Sequence, residues 1–234
     1  MILEVEDIHS YYGTSHILQG VSVRIAEGEA VCLLGRNGAG KTTTLKSIIG
    51  LVEPKRGRIV FKGHSIVGKQ PFQIARLGIG YVPEDRRIYP NLTIRENMEV
   101  AFRARETDGE QWTLEKIYHI FPHLQAMEGR MGRQMSGGEQ QMLTIARSLM
   151  GNPELLLLDE PSEGLAPLIV ADLGDLISRI NSERVSIFLA EQNSVFALKL
   201  VQRTYVVDKG MIHWEGSVQE ISKNEELRIR YLSI

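Results

Sequence analysis

The stretch from Ala30 to Thr43 constrains this chain more than any other. Ala30-Val31-Cys32-Leu33-Leu34 is an unbroken apolar run, as expected of a strand buried on both faces. Gly35-Arg36-Asn37-Gly38-Ala39-Gly40-Lys41-Thr42 follows at once, and a helical run opens at Thr43. A strand, a Gly-rich turn and a helix in that order make a cradle for phosphate. The glycines admit backbone conformations that turn successive N–H groups toward an anion. The helix aims its positive end at the same point. The pattern Gly-x-x-x-x-Gly-Lys-Thr is complete. Lys41 is therefore expected to reach the β and γ phosphates of a nucleotide, and the Thr42 hydroxyl to ligate Mg²⁺. Residues Gly35, Arg36, Asn37, Gly38, Ala39, Gly40, Lys41, Thr42 and Thr43 form the expected nucleotide-binding segment.

Such a cradle needs a carboxylate on a neighbouring buried strand to hold the metal. Leu155-Leu156-Leu157-Leu158 followed by Asp159-Glu160 supplies one. A charge directly after four leucines lies where open α/β sheets bind ligands, at a strand's carboxyl end. Asp159 is expected to bind Mg²⁺, and Glu160 to polarise an attacking water as general base. The competing reading is two solvated acids in a loop.

The rest of the chain fits an α/β architecture. Ile2–Ile8 and Val21–Ile25 alternate apolar and polar residues, and Glu27-Gly28-Glu29 reads as a turn. Val185–Ala190 is a further buried strand, with helical stretches at roughly 168–182 and 194–200. Strands alternating with helices imply a mainly parallel sheet. Residues 93–150 differ: several helical stretches and no convincing strand, one helix opening on the capping box Thr93-Ile94-Arg95-Glu96. Tyr205–Val207 and Met211–Trp214 flank Asp208-Lys209-Gly210, a hairpin signal.

Composition narrows the function classes. Lys plus Arg is 27 against 29 for Asp plus Glu, a net charge of −2, so a nucleic-acid partner is not expected. One cysteine, Cys32, excludes an intramolecular disulfide and a Cys-rich zinc site. The six histidines show no metal spacing. No apolar run approaches the roughly 20 residues that span a bilayer, and Met1–Asp7 is not expected to be a signal peptide.

Met135-Ser136-Gly137-Gly138-Glu139-Gln140-Gln141 lies just before the acidic pair, Ser136 preceding Asp159 by 23 residues (159 − 136). On its own it is a capping box, Ser136 to Glu139, opening an amphipathic helix. Its Gly-Gly N-terminus also leaves N–H groups free for an anion. With the cradle and the Asp-Glu pair, this segment resembles the signature loop of the ATP-binding cassette (ABC) ATPases, and the resemblance extends over essentially the whole chain. It implies a P-loop NTPase of ABC type: a mainly parallel core sheet, an N-terminal antiparallel β subdomain and a helical subdomain insertion. Residues 1–234 are expected to form one ATPase domain, with about 1–84 and 151–234 as core and β subdomain and about 85–150 as the helical insertion.

By the same resemblance, two cassettes meet head to tail. Ser136, Gly137, Gly138 and Glu139 then contact the γ-phosphate of ATP held by the opposite subunit. Tyr12 matches the aromatic platform that stacks on adenine, with Tyr11 as competitor and an ordinary surface aromatic as the bland alternative. Glu84 occupies the place of the family's glutamine before the helical region, where it still offers oxygen to Mg²⁺ or water. Gln192 replaces the usual histidine of the switch loop; it can donate a hydrogen bond to the γ-phosphate but cannot hold a proton as histidine can. Ala166 replaces an aspartate. Glu160, Gln192 and Glu84 are the expected catalytic set, with Thr42, Asp159 and Glu84 around the metal.

These departures resemble the ATPase subunits of high-affinity branched-chain amino acid importers, the shorter of the two, with urea and short-amide importers as related systems. The resemblance implies a peripheral protein at the cytoplasmic face of the plasma membrane. It would work with two transmembrane permease subunits, a second ATPase (a paralogue or a second copy) and, indirectly, a solute-binding protein. The permeases are expected to dock around Glu84–Arg105, a stretch containing Arg86, Arg87, Arg95, Arg103 and Arg105; a solvated helix face is the alternative for these arginines. A soluble, non-transport ABC ATPase is the other class of reading.

Overall fold

The computed structural model describes residues 1–104, 111–227 and 229. Arg105, expected in the docking region, lies outside the described residues.

The element order is β1 (Leu3–Tyr12), β2 (Ser15–Ile25), β3 (Ala30–Leu34), α1 (Lys41–Ile48), β4 (Arg56–Phe61), β5 (His64–Ser65), α2 (Pro71–Leu77) and β6 (Ile79–Val82). It continues with α3 (Ile94–Glu99), α4 (Leu114–Ile120), α5 (Pro122–Ala126), α6 (Gly137–Leu149), β7 (Leu155–Asp159), α7 (Pro167–Ser182) and β8 (Ser186–Glu191). The last elements used below are α8 (Ser194–Ala197), β9 (Arg203–Asp208), β10 (Met211–Ser217) and α9 (Val218–Lys223).

The strands build two sheets, one in the order β2-β1-β4-β5 and one in the order β10-β9-β3-β8-β7-β6. The first is antiparallel. In the second, β9, β3, β8, β7 and β6 run parallel, and only β10 is antiparallel to its neighbour. The expectation of a mainly parallel core with an antiparallel N-terminal β region is met.

The apolar runs divide between two cores by the period-two alternation of a strand. Ala30, Cys32 and Leu34 of β3 enter one core with Leu156, Leu158, Ile187, Leu189 and the apolar faces of α6 and α7. Val31 and Leu33 enter the other with Leu155, Leu157, Phe188, α1 and the antiparallel sheet. A strand covered on both faces has no solvent side, which is why these runs read as continuous rather than alternating. Cys32 is fully buried and free, and burial pushes its thiol well above the ordinary range.

Local signals act where expected. The Thr93 hydroxyl accepts from the Glu96 N–H at 3.1 Å, and Glu96 Oε2 accepts from the Thr93 N–H at 2.7 Å. The β9–β10 hairpin turns on Lys209 (φ 47°) and Gly210 (φ 76°), the two left-handed residues of a type I′ turn. The stretch 194–200 is helical only over Ser194–Ala197. Beyond it, Lys199 and Leu200 donate to the carbonyls three residues back, a tighter turn that ends the helix.

Candidate active site

Four neighbouring parallel strands set the site. The pairs Leu34↔Glu191, Asp159↔Ala190 and Val82↔Leu158 put the carboxyl ends of β3, β8, β7 and β6 flush to within about a residue. Each strand then delivers one loop to the same rim: Gly35–Thr42 from β3, Gln192 from β8, Glu160 from β7 and Glu84 from β6. This is the rim where parallel α/β sheets bind ligands.

Gly35 is packed so closely that a Cβ there would meet the Val207 carbonyl at 2.5 Å. Gly38 (φ 79°) and Gly40 (φ 111°) take backbone conformations that side chains resist, so the loop curls before α1 starts. The hairpin braces it from outside: the Gly210 N–H donates to the Ala39 carbonyl at 2.9 Å. Arg36, Asn37 and Gly38 are exposed at the crown, while Ala39, Lys41 and Thr43 are buried.

Lys41 is 3% exposed; its Nζ donates to the carbonyls of Gly35 (2.8 Å) and Arg36 (3.0 Å) and lies 3.1 Å from Glu160 Oε1. The Thr42 hydroxyl donates to Asp159 Oδ1 at 2.9 Å. Tyr81 donates its hydroxyl to Asp159 Oδ2, also at 2.9 Å. Burial raises the Asp159 carboxyl, while the hydrogen bonds from Tyr81 and Thr42 work the other way. Burial, and then Asp159, push the Tyr81 phenol far up. Thr42, Tyr81, Glu84 and Asp159 line one cleft of about 370 Å³. A hydroxyl and two carboxylates are hard oxygen donors, the set that suits Mg²⁺.

Glu160 sits at φ 44°, a left-handed backbone for a residue with a side chain, held by its N–H donating to the Ala190 carbonyl at 2.9 Å. Burial, then the charges of Glu160 and Glu84, raise the neighbouring Glu163. Gln192 is exposed at the first position after β8. Tyr12 ends β1 and is 48% exposed, whereas Tyr11 is engaged, stacking on His16 with ring centroids 4.2 Å apart. Among the described residues no ring stacks on Tyr12.

The signature segment stands apart. Ser136 caps α6: its N–H donates to Glu139 Oε2 at 2.6 Å, and its hydroxyl accepts from the Glu139 N–H. Those bonds hold the Glu139 carboxyl below the ordinary range. Among the described residues no hydrogen bond joins Ser136–Glu139 to Gly35–Thr42. The glycines face Arg86 and Ile169 instead: a Cβ on Gly137 would meet Arg86 Nη1 at 2.6 Å, and one on Gly138 would meet Ile169 Cγ2 at 3.0 Å.

Sequence reasoning passes over Tyr81 and Glu191. Tyr81 sits 78 positions before the carboxylate it touches, so only the pairing of β6 with β7 brings the two together. Glu191 reads as an ordinary strand-end acid; a carboxylate ending the buried, mostly apolar strand Ser186–Glu191 is the one signal that marks it.

Rim, cradle and acidic pair define a P-loop ATPase of the ATP-binding cassette type. Residues 18–163 match the ABC transporter family, and the chain belongs to it. It is an ATP-hydrolysing transporter subunit. Over 231 residues it is 40% identical to the high-affinity branched-chain amino acid transport ATP-binding protein BraG of Pseudomonas aeruginosa, covering 99% of each chain. It is 32% identical over 233 residues to the lipopolysaccharide export system ATP-binding protein LptB of Haemophilus influenzae, covering 99% of this chain and 97% of that one. Among solved structures, the ATP-binding subunit of an ABC transporter superposes with a TM-score of 0.84 at 28% identity, covering 100% of this chain and 97% of the other.

Proposed function

We propose that this chain powers a membrane importer whose cargo is a branched-chain amino acid. The flush carboxyl ends of β3, β8, β7 and β6 carry the ATPase part of this reading, because they gather Lys41, Thr42, Asp159, Glu160 and Glu84 at one rim. Gly35–Thr43 cradle the phosphates, with Lys41 on the β and γ groups. Tyr12 stacks on adenine. Thr42, Asp159 and Glu84 hold Mg²⁺, which neutralises phosphate charge when bound. Glu160 takes a proton from the attacking water, and Gln192 donates to the γ-phosphate. Ser136, Gly137, Gly138 and Glu139 serve the nucleotide of the opposite subunit; among the described residues no hydrogen bond ties them to the chain's own cradle. Residues 85–150 act as a helical subdomain beside the core formed by 1–84 and 151–234.

The amino-acid cargo rests on the likeness to BraG, stronger than that to LptB (40% against 32%). The partners are two permease subunits and a second ATPase, a paralogue or another copy, with a solute-binding protein acting through the permeases. No helix among the described residues is long and apolar enough to cross a membrane. The chain is proposed to sit peripherally at the cytoplasmic face, held there by the permeases. Their docking surface is more apolar than the arginines suggest. Arg87 is paired with Asp85 at 2.7 Å, Arg95 with Glu99 at 2.7 Å, and Arg86 donates to the Glu163 carbonyl at 3.0 Å. Arg87 and Arg95 are exposed though paired, and the apolar Leu51, Phe72, Val100 and Phe102 are exposed as well; Leu51 and Phe72 line one cleft with Ala101.

A mild-detergent pull-down from native membranes, with every partner identified by mass, tests the proposal. Two polytopic permeases and a second cassette are expected, with leucine uptake by the reconstituted complex. Recovery from the soluble fraction overturns the transport role. Recovery with lipopolysaccharide-export subunits, or uptake of urea or an amide instead of leucine, overturns the cargo.

A further inference from the structure

Glu191 is the last residue of β8 and is 2% exposed. Its Oε1 accepts from the Ser162 N–H at 3.1 Å. Its Oε2 accepts from the N–H groups of Gln192 and Asn193, both at 3.1 Å. Its carbonyl accepts from the Gly35 N–H at 3.3 Å. Donors from three separate loops therefore converge on one residue: the entry to the phosphate cradle, the turn after Glu160, and the segment of Gln192. Among the described residues no lysine, arginine or histidine forms an ion pair with this carboxylate. A buried charge without a counterion costs the fold stability. Backbone dipoles aimed at it offset part of that cost, and they do so only in this geometry.

We infer that Glu191 is a positioning residue for ATP hydrolysis, fixing Glu160 and Gln192 relative to each other and to the cradle. Glu160 sits in a left-handed conformation (φ 44°) and opens a turn closed by the Glu163 N–H donating to its carbonyl at 3.1 Å. Ser162 lies inside that turn, so the Ser162–Glu191 bond sets where Glu160 points. Gln192 follows Glu191 directly, and its amide is held by the same carboxylate. One side chain thus aligns the proposed general base and the proposed γ-phosphate donor. The inference rests on those two roles.

Three variants of the full chain test it: Glu191→Gln, Glu191→Asp and Glu160→Gln. Each is measured for kcat, for KM toward ATP, for Tm, and for deuterium uptake across 158–165 and 190–195. Gln keeps the shape but offers one acceptor oxygen where the loops need two. Asp keeps the charge but is too short to reach both loops. Both Glu191 variants are expected to lower kcat about tenfold or more, some 1.4 kcal/mol in the barrier. KM is expected to stay within about twofold, since the cradle's own contacts are intact. Deuterium uptake rises in both segments. Wild-type kcat with raised uptake overturns the inference. So does a joint collapse of kcat, KM and Tm, which marks a merely structural residue, and so does recovery of kcat in Glu191→Asp, which makes charge rather than reach the cause. If the Gln variant does not fold, the Asp variant carries the same readouts. Persistent hydrolysis in Glu160→Gln overturns the base role itself; an inactive Glu160→Gln beside a fully active Glu191→Gln overturns the positioning role alone.

Discussion

At the scale of single residues, burying a charge costs the fold stability. Asp159 is fully buried, and burial raises its carboxyl above the ordinary range. An acid with a higher pKa folded than unfolded stabilises the fold while protonated, and that contribution is lost as pH rises through the folded value. Asn cannot ionise, so Asp159→Asn is expected to raise the Tm of the nucleotide-free chain at about pH 7, and the gain to shrink toward about pH 4; each tenfold change in ionisation constant is worth about 1.4 kcal/mol. Thermal unfolding at the two pH values checks this, and an equal gain at both would remove burial as the cause. Lys41 links the carbonyls of Gly35 and Arg36 to Glu160. Lys41→Ala is expected to weaken nucleotide binding itself, by about 1.5–3 kcal/mol for a lost charge-assisted contact. Titration with a fluorescent ATP analogue reads it, and unchanged affinity would count against the cradle.

At the scale of elements, the helix α6 separates two roles of one residue. Ser136 caps it and, in the proposed dimer, faces the opposite nucleotide. Ser136→Ala is expected to cost about 1 kcal/mol of stability, seen as a fall of ~2–4 °C in Tm for a chain of this size. Ser136→Asp restores an N-cap acceptor, so the Tm is expected to return. Hydrolysis is not, because a carboxylate at that N-terminus repels the γ-phosphate. Recovery of both in the Asp variant would leave Ser136 with the capping role alone. The same scale shows where sequence reading runs short. β3, β7 and β8 stand out as unbroken apolar runs, and α6 as a capping box with an apolar stripe. The segment 51–84 gives no such signal: β4 buries only Ile59 and Phe61 fully, β5 is two exposed residues, and β6 is a four-residue edge strand containing Gly80. These elements take their form from the strands they pair with rather than from their own pattern.

At the scale of the whole molecule, no hydrogen bond among the described residues joins the Gly35–Thr42 rim to the Ser136–Glu139 loop, the two segments proposed to serve different nucleotides. On the proposed function two copies of such a cassette act as a pair, so Glu160→Gln is expected to nearly abolish hydrolysis, by about 10²–10⁴-fold for a lost general base, while retaining ATP-dependent dimerisation. Sedimentation with and without ATP, beside a turnover assay, checks it; wild-type turnover would remove Glu160 from that role. The sequence by itself determined the cradle, the acidic pair, the cap on α6 and the α/β class, because each is written in contiguous residues whose local chemistry fixes their conformation. Only the tertiary structure decided that Tyr81 reaches Asp159 and that Glu191 joins the turn after Glu160 to the entry of the phosphate cradle. Those contacts depend on which strands become neighbours and in what register. Pairing of that kind is settled by the burial of the whole sheet, across separations that no local pattern encodes.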